Sequence, residues 1–184
     1  LNYPSVIQNR DLQEVLDRAR SVGDLGPESN DTVISQSLKF VEAIPPGTAE
    51  IADLGSGAGV PGLVLALALP QLQVRLVERS QKRCDGLVLA IGKLGLSDRV
   101  KVYCGEAQKV ARSAEWPGGV SVVVCRSFSP IEGIFSAAAP LMTPNAILLV
   151  SEPPDSDGSR WMGNLPRDFA KPSIASGIAL FARK

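Results

Sequence analysis

The sequence predicts an α/β fold with a doubly wound, mostly parallel sheet. Three observations carry this expectation. Short apolar runs at 48–54, 74–77, 100–103, 119–125 and 146–150 read as strands buried on both faces. Amphipathic or fully apolar helical stretches separate most of them. The first run closes in Asp53-Leu54-Gly55-Ser56-Gly57-Ala58-Gly59-Val60-Pro61-Gly62, a glycine turn between a strand and a helix. Open α/β sheets bind their ligands at such strand ends.

Each element has a local reason. Residues 5–22 predict one amphipathic helix, with Val6, Ile7, Leu12, Val15, Leu16 and Ala19 as its apolar stripe. Residues 23–29 read as a linker. Ser29-Asn30-Asp31 offers an N-cap to a second helix over 32–44, stopped by Pro45-Pro46-Gly47. Residues 1–47 are expected to be a helical segment packed on the sheet, and 48–184 the ligand-binding core of a single domain. The helix over 60–69 is nearly all apolar, so it should be buried on most sides, and Pro70 ends it. Ser80 is expected to cap a helix over 81–94, with Leu87, Ile91 and Leu94 inward and Gly95 at its end. Residues 131–141 predict another helix. Two short strands, 174–175 and 178–182, follow each other with no helix between them, which predicts an antiparallel edge. The loop over 152–171 is rich in Pro, Asp, Gly and Ser and carries Trp161 and Phe169. It reads as a lid near the substrate or as a plain surface loop.

Composition bounds the function. The 184 residues carry 19 basic and 19 acidic side chains, so charge alone demands neither a nucleic acid nor a membrane partner. No apolar run reaches membrane-span length and no signal-peptide pattern opens the sequence, which predicts a cytoplasmic protein. Cys84, Cys104 and Cys125 are widely spaced and odd in number, and there is no histidine. The expectation is therefore no metal site and no disulfide framework, with all three cysteines as small core residues. Without histidine, no mechanism can rest on an imidazole base.

The glycine turn carries the chemistry. Gly55, Gly57 and Gly59 can take positive φ and let a ligand approach the backbone, with Ser56 among them. Pro61 suits the first turn of the helix that follows, whose free N–H groups favour a negative or polar ligand group. Gly57-x-Gly59-x-x-Gly62 satisfies a dinucleotide pattern. Asp53, two residues before Gly55, argues instead for S-adenosylmethionine (SAM): a carboxylate at the strand end suits a methionine ammonium and would repel a pyrophosphate. Glu78, with Arg79 beside it, closes the next strand 19 residues beyond Gly59. An acid there can accept from both ribose hydroxyls of an adenosine cofactor. Ala107 and Gln108, after the third strand, are candidates to contact adenine, or belong to a solvated turn. Arg126, Ser127 and Phe128 follow the central strand and should face the transferred methyl group. Arg126 is a candidate both for catalysis and for cofactor contact, or else one half of a structural salt bridge.

The run Asp53-Leu-Gly-Ser-Gly-Ala-Gly-Val-Pro-Gly-Leu, followed by Leu65-Ala-Leu-Ala-Leu-Pro, resembles the small-subunit ribosomal RNA guanine-N7 methyltransferases. The resemblance continues through Leu76-Val-Glu-Arg-Ser-Gln-Lys-Arg, Gly105-Glu-Ala-Gln and Cys125-Arg-Ser, and covers roughly residues 32 to 184. It implies a class I, Rossmann-like methyltransferase core, SAM as cofactor and ribosomal RNA as partner. The family carries His and Asp where this chain has Val33 and Gln36, an acid where it has Gln108, and Lys-Gly where it has Glu152-Pro153. Three activities fit: methylation of guanine N7 in ribosomal RNA, methylation of a small molecule or another RNA on the same fold, or SAM binding without catalysis. The first predicts a basic surface around Arg79, Lys82, Arg83 and Arg126.

Overall fold

The computed structural model describes residues 3–126, 133–153, 156–161, 163 and 165–184. Seven strands form one sheet in the order β3-β2-β1-β4-β5-β7-β6. They are β1 (Glu50–Leu54), β2 (Gln73–Glu78), β3 (Val100–Cys104), β4 (Val120–Cys125), β5 (Met142–Ser151), β6 (Ser173–Ala175) and β7 (Ile178–Ala182). The first five run parallel, and β7 pairs antiparallel with β5 and β6. The strand direction reverses where the predicted antiparallel edge begins, and the doubly wound, mostly parallel sheet is present as expected.

β4 shows why the apolar runs are continuous. Val123 and Cys125 join a cluster on one face with Phe135, Trp161, Phe169 and Phe181. Val122 and Val124 join a cluster on the other face with Phe40, Leu63, Leu76 and Leu87. Beyond the exposed Ser121 near its start, a strand covered on both sides has no position left for a polar residue. Each fully buried aliphatic or aromatic side chain there contributes roughly 1.5–3 kcal/mol relative to exposure.

The helices are α1 (Pro4–Ile7), α2 (Arg10–Ser21), α3 (Asn30–Ala43), α4 (Gly62–Ala68), α5 (Gln81–Lys93), α6 (Ala107–Val110) and α7 (Ile134–Ala138). The single helix expected over 5–22 is broken. Asn9 leaves the helical path and its Oδ1 accepts the Leu12 N–H at 2.9 Å, so it N-caps α2. Ser29 caps α3 as predicted, accepting from Thr32 N–H at 3.2 Å. The helix expected over 131–141 is described only as α7 and a 3-10 turn at Ala139–Leu141; its first two residues lie outside the described residues.

Two expectations are overturned. Cys84, in the first turn of α5, and Cys104, the last residue of β3, form a disulfide with Cα atoms 6.0 Å apart. β2 and β3 are parallel neighbours, so the start of α5 and the end of β3 meet at one edge of the sheet. Odd cysteine number and wide spacing concealed this, because the pairing is made by the crossover and not by local sequence. Cys125 alone is a buried free thiol. Where it is described, the loop after β5 is no plain surface loop, because its Trp161 and Phe169 are buried. Trp161 is 1% exposed and Phe169 2%, and both pack on Phe135. Glu152 is clamped by Arg160 at 2.7 Å, by the Trp161 indole N–H at 2.7 Å and by the Ser156 hydroxyl.

No helix among the described residues is long and apolar enough to cross a membrane. No cluster of three or more potential metal ligands occurs among them.

The disulfide bridges residues 20 apart; closing a loop of that size stabilises by about 3 kcal/mol. Reduction, or Cys104→Ser, is expected to lower the thermal midpoint by about 6–12 °C, measured by circular dichroism. An unchanged midpoint would show that the bridge does not form in solution.

Candidate functional site

The site is built at the C-terminal ends of β1, β2 and β3. Asp53 sits one residue before the end of β1 and is fully buried. Its Oδ2 accepts the Gly62 N–H at 3.0 Å, tying β1 to the first residue of α4. Its Oδ1 is buried with no hydrogen-bond partner among the described residues. Burial pushes its carboxyl up to about 7; the Gly62 N–H, the Ser56 hydroxyl and the charge of Arg126 pull the other way, and the Glu78 carboxylate adds to the rise.

The turn after β1 is held by its own backbone. The Gly55 and Ser56 N–H groups both donate to the Val77 carbonyl, at 2.8 and 3.2 Å. The Ser56 hydroxyl points inward and donates to the Asp53 carbonyl at 2.8 Å. Gly57 has φ +54°, and a Cβ there would meet nothing closer than the Gly55 carbonyl at 3.8 Å. Gly59 has φ +89°, and a Cβ there would lie 2.3 Å from Leu63 Cδ1. Gly57 thus leaves room above the turn, whereas Gly59 is required by packing under it.

Glu78 ends β2 and is 4% exposed. Its Oε2 accepts the Gly57 N–H at 2.9 Å, and its Oε1 accepts the Ser80 N–H at 2.9 Å. The Ser80 side chain makes no cap bond; the Glu78 carboxylate holds the start of α5 in its place. Each carboxylate oxygen keeps further acceptor capacity.

A cavity of about 390 Å³ opens beside this acid, and its walls include Gly55, Glu78, Arg79, Ala107 and Gln108. Five of the sequence-predicted residues therefore share one cavity. Asp53, Ser56, Gly57 and Gly59 form the turn and strand end beside it. The Gln108 amide donates to the Ser136 carbonyl at 3.3 Å, bracing α6 on α7. Ser127 and Phe128 lie outside the described residues. A second cavity, of about 240 Å³ between α2 and α5, reaches Gly57 and Ala58 and shares Arg83 with the first.

Arg126 is where the sequence reading is most altered. Its Nη2 donates to Glu28 Oε2 at 2.8 Å and to Gln36 Oε1 at 2.9 Å. Lys82 and Arg83 both pair with Asp24, at 3.6 and 3.2 Å. The expected basic surface is thus largely covered by two acids from residues 22–29. Only Arg79 among those four cations is exposed without a charged partner among the described residues. Nothing local in the sequence signals these pairs, which join residues 59 and 98 positions apart.

With this geometry in place, the comparisons with known proteins become readable. The family model described as rRNA small subunit methyltransferase G matches residues 27–152. The chain belongs to that family. Among curated relatives, ribosomal RNA small subunit methyltransferase G of Kineococcus radiotolerans is 45% identical over 101 residues, covering 55% of this chain and 38% of the relative. The protein of the same name from Frankia casuarinae is 31% identical over 132 residues, covering 69% and 49%. That from Salinispora tropica is 40% identical over 136 residues, covering 69% and 54%. The chain thus spans about half or less of the length of these family members.

Solved structures agree on the fold. An O-methyltransferase from Bacillus cereus in complex with SAH superposes with a TM-score of 0.64 at 16% identity, covering 95% of this chain and 90% of that one. The O-methyltransferase TomG from Streptomyces achromogenes in complex with SAM gives 0.63 at 18%, covering 94% and 87%. The family member described here therefore has the class I methyltransferase fold that its strand order implies.

Asp53 yields a pH prediction. Its carboxyl is raised from 3.8 to about 7 in the folded chain. Below pH 4 both folded and unfolded chains hold this proton. Between pH 4 and 7 only the folded chain holds it, so this group's contribution to stability is lost as pH rises through that window. Asp53→Asn is expected to flatten the fall in thermal midpoint between pH 4 and 7. A variant with the wild-type slope would show that Asp53 does not titrate there.

Proposed function

We propose that this chain binds SAM at the glycine turn and transfers its methyl group to guanine N7 of small-subunit ribosomal RNA. The observation that carries the cofactor reading is the buried Asp53 Oδ1, which has no hydrogen-bond partner among the described residues, beside a glycine turn that Glu78 braces. A buried acceptor without a partner is costly unless a ligand satisfies it. The methionine ammonium is a donor of the right charge, directly or through water, and a pyrophosphate is the wrong one. Glu78 is placed to accept from ribose hydroxyls, and the cavity walls at Ala107 and Gln108 offer the adenine end a surface. Family membership and the SAH and SAM named for the B. cereus and S. achromogenes structures point the same way.

When bound, SAM supplies an electrophilic methyl group on a sulfonium. Guanine N7 already presents a lone pair on the major-groove edge, so no base is required. That suits a chain without histidine. The protein's task is alignment of acceptor and methyl, which is proximity and orientation. Arg126, at the end of the central strand, is the group to donate to guanine O6 or to a neighbouring phosphate. Its charge also favours the ionised form of Asp53. A ribosomal substrate places the protein in the cytoplasm, a compartment that keeps thiols reduced and would open the Cys84–Cys104 bridge.

Transfer of tritiated methyl from SAM to unmethylated small-subunit ribosomal RNA tests the reading. Borohydride reduction and aniline cleavage then report whether 7-methylguanosine formed. SAM binding without transfer to RNA would favour a small-molecule acceptor or a binding protein without catalysis; binding of NAD in its place would remove the methyltransferase reading. Glu78→Ala is expected to weaken SAM binding at least about tenfold by calorimetry, the loss of charge-assisted bonds worth roughly 1.5–3 kcal/mol. Affinity equal to wild type would mean that the ribose is held elsewhere.

A further inference from the structure

The acids over the cationic surface point to a specific device. Residues 22–29 run as a strap from the end of α2 to the start of α3. Asp24 is 16% exposed and bridges Lys82 and Arg83. Glu28 is 47% exposed and holds Arg126, which is only 12% exposed. Lys82 also donates to the Val22 carbonyl at 3.0 Å. Arg83 lines the 390 Å³ cavity, and the charge of Arg126 reaches Asp53. Arg83, 40% exposed, and Arg126 therefore border the candidate cofactor site, and Lys82, 64% exposed, lies beside them.

Resting on the reading that the substrate is RNA, we propose that Asp24 and Glu28 occupy the positions of two substrate phosphates, which displace them when the RNA docks. Carboxylate and phosphate oxygens make the same charge-assisted bonds to guanidinium and ammonium. The exchange requires little of the backbone. Arg20 holds the strap through the Gly26 carbonyl at 3.2 Å and the Glu28 carbonyl at 2.6 Å. It also holds the Asn30 side chain at 2.7 Å. With the main chain pinned, rotation of the half-exposed Glu28 side chain into water is enough to free Arg126. Gln36 stays behind as an acceptor for the released guanidinium. The Lys82 and Arg83 pairs, whose cations are 64% and 40% exposed, are weak, so their loss is readily offset by phosphate contacts. An RNA that cannot reach both cations gains nothing to offset it. The strap therefore discriminates against loosely bound polyanions.

The test compares the wild-type chain with the Asp24→Asn/Glu28→Gln double variant. Fluorescence anisotropy with a labelled single-stranded RNA of about 20 nucleotides is read from about 50 to about 300 mM salt. The variant is expected to bind about three- to thirtyfold more tightly, since the three ion pairs made by Asp24 and Glu28 no longer compete. Its salt dependence should steepen by roughly 0.7 in slope for each cation freed, because phosphates now release counterions and not carboxylates. Adding Arg126→Gln should remove part of the gain. Unchanged or weaker binding, an unchanged slope, or no RNA binding by either protein overturns the proposal. The thermal midpoint and SAM titration of each variant report folding, and Glu28→Gln alone replaces the double variant if that fails to fold. Methyl transfer to ribosomal RNA is scored separately. Tighter binding without transfer leaves the masking in place and removes the RNA methyltransferase reading; transfer with unchanged binding does the reverse.

Discussion

A carboxylate sealed beneath a glycine turn is the constraint on which the site depends. Asp53 satisfies one of the free N–H groups at the start of α4 through Gly62. That contact permits no side chain at 62, where a Cβ would lie 2.7 Å from Asp53 Oδ2 and 2.4 Å from Leu76 Cδ2. Three elements, β1, α4 and β2, are thereby fixed to one another at the point where the chain turns. Burying a carboxylate opposes folding unless its oxygens are satisfied. One accepts the Gly62 N–H and the other has no partner among the described residues. The imbalance is tolerable in a protein whose ligand brings a positive charge, and it explains why the pKa shift is upward despite the Arg126 charge nearby.

Glu78 solves the complementary problem. It donates nothing and accepts twice, from Gly57 on the turn and from Ser80 at the start of α5. Those bonds brace the two walls of the cavity before any ligand enters, so the site needs little ordering on binding. In its oxidised form the Cys84–Cys104 pair acts on the same edge, joining the first turn of α5 to the strand end that leads into Gly105 and Gln108. The cavity is framed from three sides by contacts made between elements and not within them.

That distinction separates what the sequence made legible from what it hid. The sheet could be read because strands buried on both faces leave unbroken apolar runs, and β4 is one. The glycine turn and the acids at 53 and 78 could be read because strand-end spacing fixes where they lie. The break at Asn9 was hidden because the apolar stripe of 5–22 continues in register across it. Ser80 looked like a cap, yet an acid two residues earlier was better placed for the same N–H. Trp161 and Phe169 sat in a stretch of loop composition, and only packing against Phe135 and Phe181 reveals them as pins. The charge pairs of Arg126, Lys82 and Arg83 needed the fold, since their partners are distant in sequence.

The family differences acquire a physical meaning once placed in the fold. Glu152, where the family has Lys, points at Arg160 and Trp161 and is 1% exposed, so the reversal of charge is absorbed internally. Val33 is fully buried against Leu12, Leu16 and Val64 and faces no ligand. Gln36 is different, because it touches both Arg126 and Glu28. An acid at 36 would pair with Arg126 from a rigid helix and hold its charge cancelled. A neutral amide there supports the guanidinium without cancelling its charge. The cancelling charge then comes from Glu28, a side chain nearly half exposed and free to rotate. With an amide at 36 and the acid at 28, the pairing of Arg126 is thus one that an anionic ligand can break.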